Sequence, residues 1–496
     1  MISVPDAAAG GDLGALAGFR QEWYRCLTAR GDTLFELSDA VLCAPGPVTS
    51  LVELSLAAEH RRGHGALYDG LGAGRLDPAR LRRSLTALPL PRAADGRISL
   101  TVDVSSWLRP DAATSPDRLF CHVYGRGKGQ AQIIPGWPYS FVAALEPGRT
   151  SWTALLDAVR LGPNDDPTLI TAGQIREQVD RLQVAGHWHD GDADILIVLD
   201  AGYDVTRLAF LLADLPVVLL GRVRSDRVFR FPAPPRQPGT TGRPLRHGPE
   251  FALHDPPTHP SPDAATVTET TRYGTARACA WTRLHPLLTR RGAWTGHDGP
   301  LPIITGSIIR LTVQRLTGDR HPKPVWLWCS APELTPVDVD RLWQAFLRRF
   351  DIEHTFRFLK QTLGWTRPRI RTPHAADRWT WLIIAAPHPA ATGPPSRRRP
   401  APPLGENSRS TWPADPRSGP PRVSEPPPHD HPARQRTKTL PTRPRPPTRI
   451  TQQPACSPPP RRQKHQNGHH VVELRQADRL KLKLRCIKRP GWGAYM

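Results

Sequence analysis

The chain has 496 residues, enough for two or three domains and a sizeable core, so it is not a small scaffold that needs staples. Its seven cysteines (Cys26, Cys43, Cys121, Cys279, Cys329, Cys456 and Cys486) are scattered and lack a CxxC pair, which argues against a zinc ribbon or redox motif and for reduced thiols in a cytosolic protein. A net charge of +22 invites phosphate partners, but from Pro387 onward 22 Lys and Arg face 6 Asp and Glu, so most of the excess lies in the tail.

Residues 12–86 predict a largely helical region, with Leu13, Leu16, Phe19, Trp23 and Leu27 at helical spacing and a second amphipathic run from Leu51 through Ala58. The basic cluster His60, Arg61, Arg62 and His64 follows that run. A helical domain over 1–92 could hold DNA or serve as a support packed on a catalytic core.

From Arg97 the period changes to two. Ile98, Leu100, Val102 and Val104 alternate with Ser99, Thr101, Asp103 and Ser105, so Asp103 lies on the strand face opposite the hydrophobes. Short strands are expected at Leu119–Tyr124 and Gln132–Ile134, and helices at Ser151–Leu161 and Thr171–Ala185. Ile195–Leu199 is a continuous apolar run of strand length that opens into Asp200-Ala201-Gly202-Tyr203-Asp204. A helix over Val205–Leu212 and a strand over Val217–Leu220 complete an α/β unit, giving residues 93–221 as the first part of the core. The apolar stretch Leu208–Leu220, the longest, is interrupted by Asp214 and Pro216; neither a membrane span nor an export signal is expected.

Residues 222–334, rich in Pro, Gly, Thr and Arg, read as a β-rich insertion with short strands at Ile303–Ile304, Ile308–Val313 and Val325–Trp328. Thr335-Pro336-Val337-Asp338 supplies an N-cap, a first-turn proline and an acid, so a helix begins there. It, or a pair of helices broken near Phe350 and Asp351, runs to Gly364, and core helices fill 335–386. At Ile383-Ile384-Ala385-Ala386 the apolar pattern stops. The last 110 residues hold 24 of the 57 prolines, a composition that cannot bury enough apolar surface to offset ordering entropy, and disorder is expected over 387–496. The conventional reading is a basic tail that binds DNA nonspecifically; a Pro- and Arg-rich run is also what GC-rich DNA yields out of frame, so a shifted reading frame near Pro387 is the sharper one.

Asp103 on one strand, Asp200 at the end of another and Glu353 on a late helix form a set suited to two divalent ions. Mg²⁺ takes few protein carboxylates and keeps positions for water and phosphate oxygens, and two such ions serve an in-line displacement at phosphorus. Taken singly, Asp103 could be a strand-edge acid, Asp200 a turn residue, and Glu353 one half of an ordinary ion pair with Arg349 or Arg357. Gly125-Arg126-Gly127-Lys128-Gly129 lacks the spacing of a phosphate loop and reads as a turn, and His187, His189 and Asp190 lie in a polar loop.

The spacing Phe346-(2)-Arg349-(3)-Glu353-(6)-Lys360, following two strand aspartates, resembles the DDE transposases of bacterial insertion sequences, whose signature is Tyr-(2)-Arg-(3)-Glu-(6)-Lys. Three of the four positions match, and Phe346 stands where Tyr is usual. Asp200-Ala201-Gly202-Tyr203 is similar to the second-Asp motif of that family, the layout agrees over roughly residues 15–386, and the Arg- and Pro-rich style is that of actinobacterial members. The resemblance implies an α/β, ribonuclease-H-like core with a β-rich insertion before the last acid. It implies Mg²⁺-dependent cleavage at the ends of a mobile element, with Mn²⁺ as a substitute ion, and transfer of the 3′-OH into target DNA. Asp103, Asp200 and Glu353 would ligate the metals, and Phe346, Arg349, Arg357 and Lys360 would contact double-stranded DNA. A homodimer on two DNA ends, a nucleoid-associated location and no small-molecule substrate follow from the same likeness. A nuclease that cuts without joining, and a decayed copy that only binds DNA, are the alternatives.

Overall fold

The computed structural model describes residues 7–63, 65–124, 131–147, 150–239, 241–315 and 322–387. They belong to one compact unit. His64, the glycine-rich run at 125–129 and the tail from 388 lie outside the described residues.

The chain enters through helices α1 (Ala7–Cys26), α2 (Gly31–Cys43), α3 (Leu51–Leu54), α4 (Gly65–Ala73) and α5 (Pro78–Thr86), with a small ladder of β1 (Leu27–Ala29) and β2 (Arg75–Leu76). Asp77 caps α5 by accepting from the Arg80 N–H, and Pro78 occupies its first turn. The basic cluster after α3 is partly neutralised: Arg62 pairs with Asp32 and Glu36, and the buried His60 ring lies 3.7 Å from Glu36.

Next come β3 (Ser99–Leu108), β4 (Leu119–Tyr124), β5 (Ala131–Leu145), β6 (Thr153–Arg160), helix α6 (Pro167–Val184), β7 (Ile195–Leu199), helix α7 (Val205–Leu211) and β8 (Val217–Val223). β6 pairs with β5 and β5 with β3, all antiparallel; β3 then runs parallel to β7, and β7 to β8. Three antiparallel strands followed by two parallel ones joined through a helix fit a ribonuclease-H-like core. The six strands β9 (Val228–Pro232), β10 (His247–Ala252), β11 (Ala264–Thr270), β12 (Gly274–Pro286), β13 (Gly306–Val313) and β14 (Val325–Cys329) form the insertion. Because β14 pairs antiparallel with β8, the insertion prolongs the core sheet to twelve strands. Ile303 and Ile304 precede β13 outside any strand.

Helices α8 (Pro336–Arg348), α9 (Asp351–Gln361) and α10 (Pro373–Ala385) close the described chain. Thr335 and Asp338 form a reciprocal capping box at the start of α8. One sheet face packs on α6 and α7, through Leu100, Val102, Ile197 and Leu199 against Ile175, Val179 and Leu208. On the other face α8 covers Val198, Leu220 and Leu327, while Trp107, Tyr139 and Phe141 pack against α9 and α10. Phe19, Trp23, Leu34 and Leu37 of the N-terminal helices join that second group, so these helices share a core with α9 and α10. Among the described residues no helix is long and apolar enough to cross a membrane.

Besides Ile303–Ile304, two expectations fail here. Residues 151–161 are not helical: Thr153–Arg160 is β6, buried on both faces over Thr153–Ala158, so its apolar residues run on without the period of two that marks a half-exposed strand. β5 continues past Ile134 to Leu145 although Pro135, Gly136 and Pro138 look like a break. The carbonyls of both prolines still accept bonds, from Arg109 at 2.7 Å and Leu161 at 2.9 Å, so the ladder loses only their missing donors.

The insertion contains an imidazole pair, half-buried His247 Nδ1 and buried His285 Nε2 at 2.8 Å. Burial, reinforced by the charges of His247, Arg230 and Arg246, pushes the His285 pKa down to about 4. The unfolded chain therefore takes up a proton below about pH 6.5 that the folded chain refuses, and stability falls as pH drops from there towards 4. Urea titrations at pH 7 and pH 5 are expected to differ by about 2 kcal/mol from this group, and His285→Gln to reduce that difference. An unchanged acid slope in the variant would remove His285 as its source.

Candidate active site

The parallel register of β3 and β7 brings the first two acids together. Val102 lies opposite Leu199, so the next residues, Asp103 and Asp200, stand side by side just beyond the last paired position. Both fall on the sheet face away from Val102 and Leu199. The C-terminal ends of parallel strands are where open α/β sheets place ligands. Asp103 continues within β3 opposite Phe141, which fixes its backbone, and the Val104 N–H donates to its Oδ1 at 2.8 Å. Asp200 opens the turn before α7, and its carbonyl accepts from the Tyr203 N–H at 3.2 Å.

The third acid arrives on α9. The chain passes from α8 to α9 through Arg349 and Phe350, both in right-handed helical conformation, so the two helices meet at a shallow joint. Around this joint Arg348 donates to the Glu146 carbonyl and pairs with Asp351, and Thr355 bonds Thr153 of β6 at 2.7 Å. Glu353 lies in the first turn of α9 and is exposed.

Arg349 reaches both aspartates, with Nη1 3.3 Å from Asp103 Oδ2 and Nη2 3.7 Å from Asp200 Oδ1. Its side chain is 1% exposed, against 20% for Asp103 and 19% for Asp200. The guanidinium lies over Phe350 at 4.5 Å and Phe346 at 5.9 Å. Burial pushes the Asp103 pKa up to about 6; Arg349 opposes the shift, and the charges of Asp200 and Glu353 add to it. The same three acids hold the Arg349 pKa above its ordinary value against desolvation. Tyr203 belongs to this neighbourhood too. Burial and the charges of Asp103 and Asp200 raise its phenol pKa, and neither its hydroxyl nor that of nearby Ser140 closes a hydrogen bond of normal length among the described residues.

Carboxylates gathered this closely, with oxygen the only donor atom on offer, form a site for a hard cation rather than a soft one. As the side chains lie, Asp103 and Asp200 are the close pair. Glu353 acts on Asp103 by charge, and among the described residues no three acids, histidines or cysteines already stand in one coordination cluster.

The cationic and aromatic positions behave unlike the expectation for a DNA-facing helix. Phe346 is 2% exposed and packs with Val339, Leu342 and Trp343 against the sheet, because the apolar stripe of α8 continues through it. Arg349 is turned onto the aspartates. Neither presents a surface to a DNA backbone in this structure. Arg357 is exposed on α9, and the Lys360 ammonium lies 5.6 Å from the Trp365 ring centre. Two residues near the acids escaped the sequence reading as site members, Tyr203 and Phe350. Tyr203 closes the second-Asp motif without a role of its own there, and Phe350, next to Arg349, carries no signal beyond marking a helix break.

The loop histidines are accounted for locally: His187 Nε2 lies 2.8 Å from the Thr86 carbonyl, and His189 beside Asp192. Compared with known families, the chain matches the DDE superfamily endonuclease over residues 22–286, more than half its length. The match spans Asp103 and Asp200 and ends ahead of Glu353. No curated protein matches the chain.

Proposed function

The chain belongs to the DDE superfamily endonucleases, and we propose that it is a DNA transposase that cuts at the ends of an insertion sequence and joins the freed 3′-OH to target DNA. The observation that carries this reading is the register placing Asp103 beside Asp200 under the helix that bears Glu353. Divalent cations, Mg²⁺ or Mn²⁺, would be held by Asp103 and Asp200, with Glu353 completing the set, and would supply activation of the attacking oxygen and stabilisation of the leaving one.

The chain's own residues do the rest. β3 and β7 hold two carboxylates at a fixed spacing, since neither can move without breaking a buried ladder. The joint between α8 and α9 presents Glu353 to the same sheet end, and its exposure leaves room for DNA above it. Arg357 and Lys360, one and two turns further along α9, supply positive charge for the strand leading away from the cut. A homodimer holding two element ends belongs to the same proposal.

A duplex carrying the element's terminal repeat, incubated with the full chain and Mg²⁺, is expected to be cleaved, and a pre-cleaved end to be joined to plasmid. Nicks without joined products would leave a nuclease on this scaffold. No cleavage of repeat-bearing DNA with either Mg²⁺ or Mn²⁺, from protein that melts cooperatively, would overturn the enzymatic reading.

A further inference from the structure

The guanidinium of Arg349 rests on the same two carboxylates that a divalent cation at this site would need. From that geometry we infer that Arg349 is a built-in competitor for the metal: a cation binding between Asp103 and Asp200 must displace it, and Arg349 thereby lowers the affinity of the site. This inference rests on the reading of Asp103 and Asp200 as metal ligands.

Several features of the side chain support it. Its two contacts go to different acids, Nη1 to Asp103 and Nη2 to Asp200, so it spans the gap between them. It is 1% exposed, so its charge and that of an incoming cation would meet in a poorly screened environment. Guanidinium cannot lose its proton to avoid that repulsion. The contacts are also loose: 3.3 and 3.7 Å are well beyond the 2.7–2.9 Å of a strong charge-assisted pair, and Nε is buried without a hydrogen-bond partner. A purely structural ion pair at this depth would be costly to leave so poorly bonded. In the same position the guanidinium lies over the Phe350 and Phe346 rings, 4.5 and 5.9 Å from their centres, so these faces help hold it between the acids where a metal would have to enter.

The prediction has a sign that a scaffolding role would not produce. Removing a merely structural arginine loosens the site and weakens metal binding, whereas removing a competitor tightens it.

The test uses full-length protein stripped with EDTA and no DNA. Mn²⁺ binding is followed by calorimetry and by the rise in melting temperature that Mn²⁺ causes, in wild type, Arg349→Met, Arg349→Lys and Asp103→Asn. Arg349→Met is expected to bind Mn²⁺ roughly tenfold more tightly than wild type. It should melt lower without metal, having lost the counter-charge to two acids, and gain more from Mn²⁺. Arg349→Lys, whose compact ammonium cannot span both acids, should fall between them and serves in place of Met if that variant does not fold. Equal or weaker Mn²⁺ affinity in both Arg349 variants, with binding lost in Asp103→Asn, would overturn the competitor role and leave the metal site standing. Wild-type affinity in Asp103→Asn would overturn the site itself.

Discussion

Asp103→Asn is expected to reduce metal-dependent cleavage of element-end DNA by about a thousandfold, equivalent to about 4 kcal/mol of barrier. The substitution is nearly isosteric, and an asparagine Oδ1 can still accept from the Val104 N–H, so the strand keeps its local bond. What it removes is the charge. Asp103 sits in β3 between β5 and β7, with no freedom to let another residue approach in its place, and the acid beside it, Asp200, is on a different strand. The two cannot substitute for one another. The same variant should melt within a few degrees of wild type and retain most of its affinity for the duplex in a gel-shift assay. Cleavage within tenfold of wild type would remove Asp103 from the chemistry, whereas a collapse in melting temperature would make the loss uninformative, and Asp200→Asn then tests the same pair from the other strand.

The parts of this molecule that the sequence announced are those whose local pattern and tertiary setting agree. Ile195–Leu199 is uniformly apolar because it is covered on both faces, and the acid that follows it marks the point where cover ends. Thr335-Pro336-Val337-Asp338 encodes a helix start in its own side-chain bonds and needs no partner to be legible. β3 alternates because its two faces meet different layers, and the face assigned to Asp103 follows from that alternation. What stayed hidden depends on partners far along the chain. β6 is rich in residues that favour helices, and only β5 beside it makes a strand. The contact of Arg349 with both aspartates was not legible, because spacing on a helix says which residues share a face and not what that face meets. The meeting of Asp103 and Asp200 required a parallel register between segments nearly a hundred residues apart, which no local pattern contains.

The largest stability loss is expected from Trp365→Ala, about 4 kcal/mol by chemical denaturation of the full chain. Trp365 is fully buried where α9 ends, and its ring meets Phe141 at 5.3 Å, Tyr139 at 5.7 Å and Trp107 at 6.2 Å. Its indole N–H donates to the Thr380 hydroxyl at 2.9 Å, and its carbonyl accepts from the Trp379 indole at 2.8 Å. The residue thus ties three layers, the strands around Asp103, the helix carrying Glu353, and α10. It is delivered there by Gly364, whose φ of +70° and close approach to the Val48 carbonyl, 2.6 Å from where a Cβ would sit, admit no side chain. Truncation to alanine leaves a cavity that rigid strands on one side cannot collapse to fill, and leaves the Thr380 hydroxyl with one partner fewer. Trp365→Phe, which keeps most of the volume and loses the indole bond, should cost about 1–2 kcal/mol. Because α9 is held to β3 through this ring, the alanine variant should also lose cleavage activity at temperatures well below its own melting point, as Glu353 moves relative to the aspartates. If Trp365→Ala denatures at the wild-type midpoint, the ring is not the anchor of α9, and the position of Glu353 must depend instead on the contacts of Arg348 and Thr355 at the start of that helix.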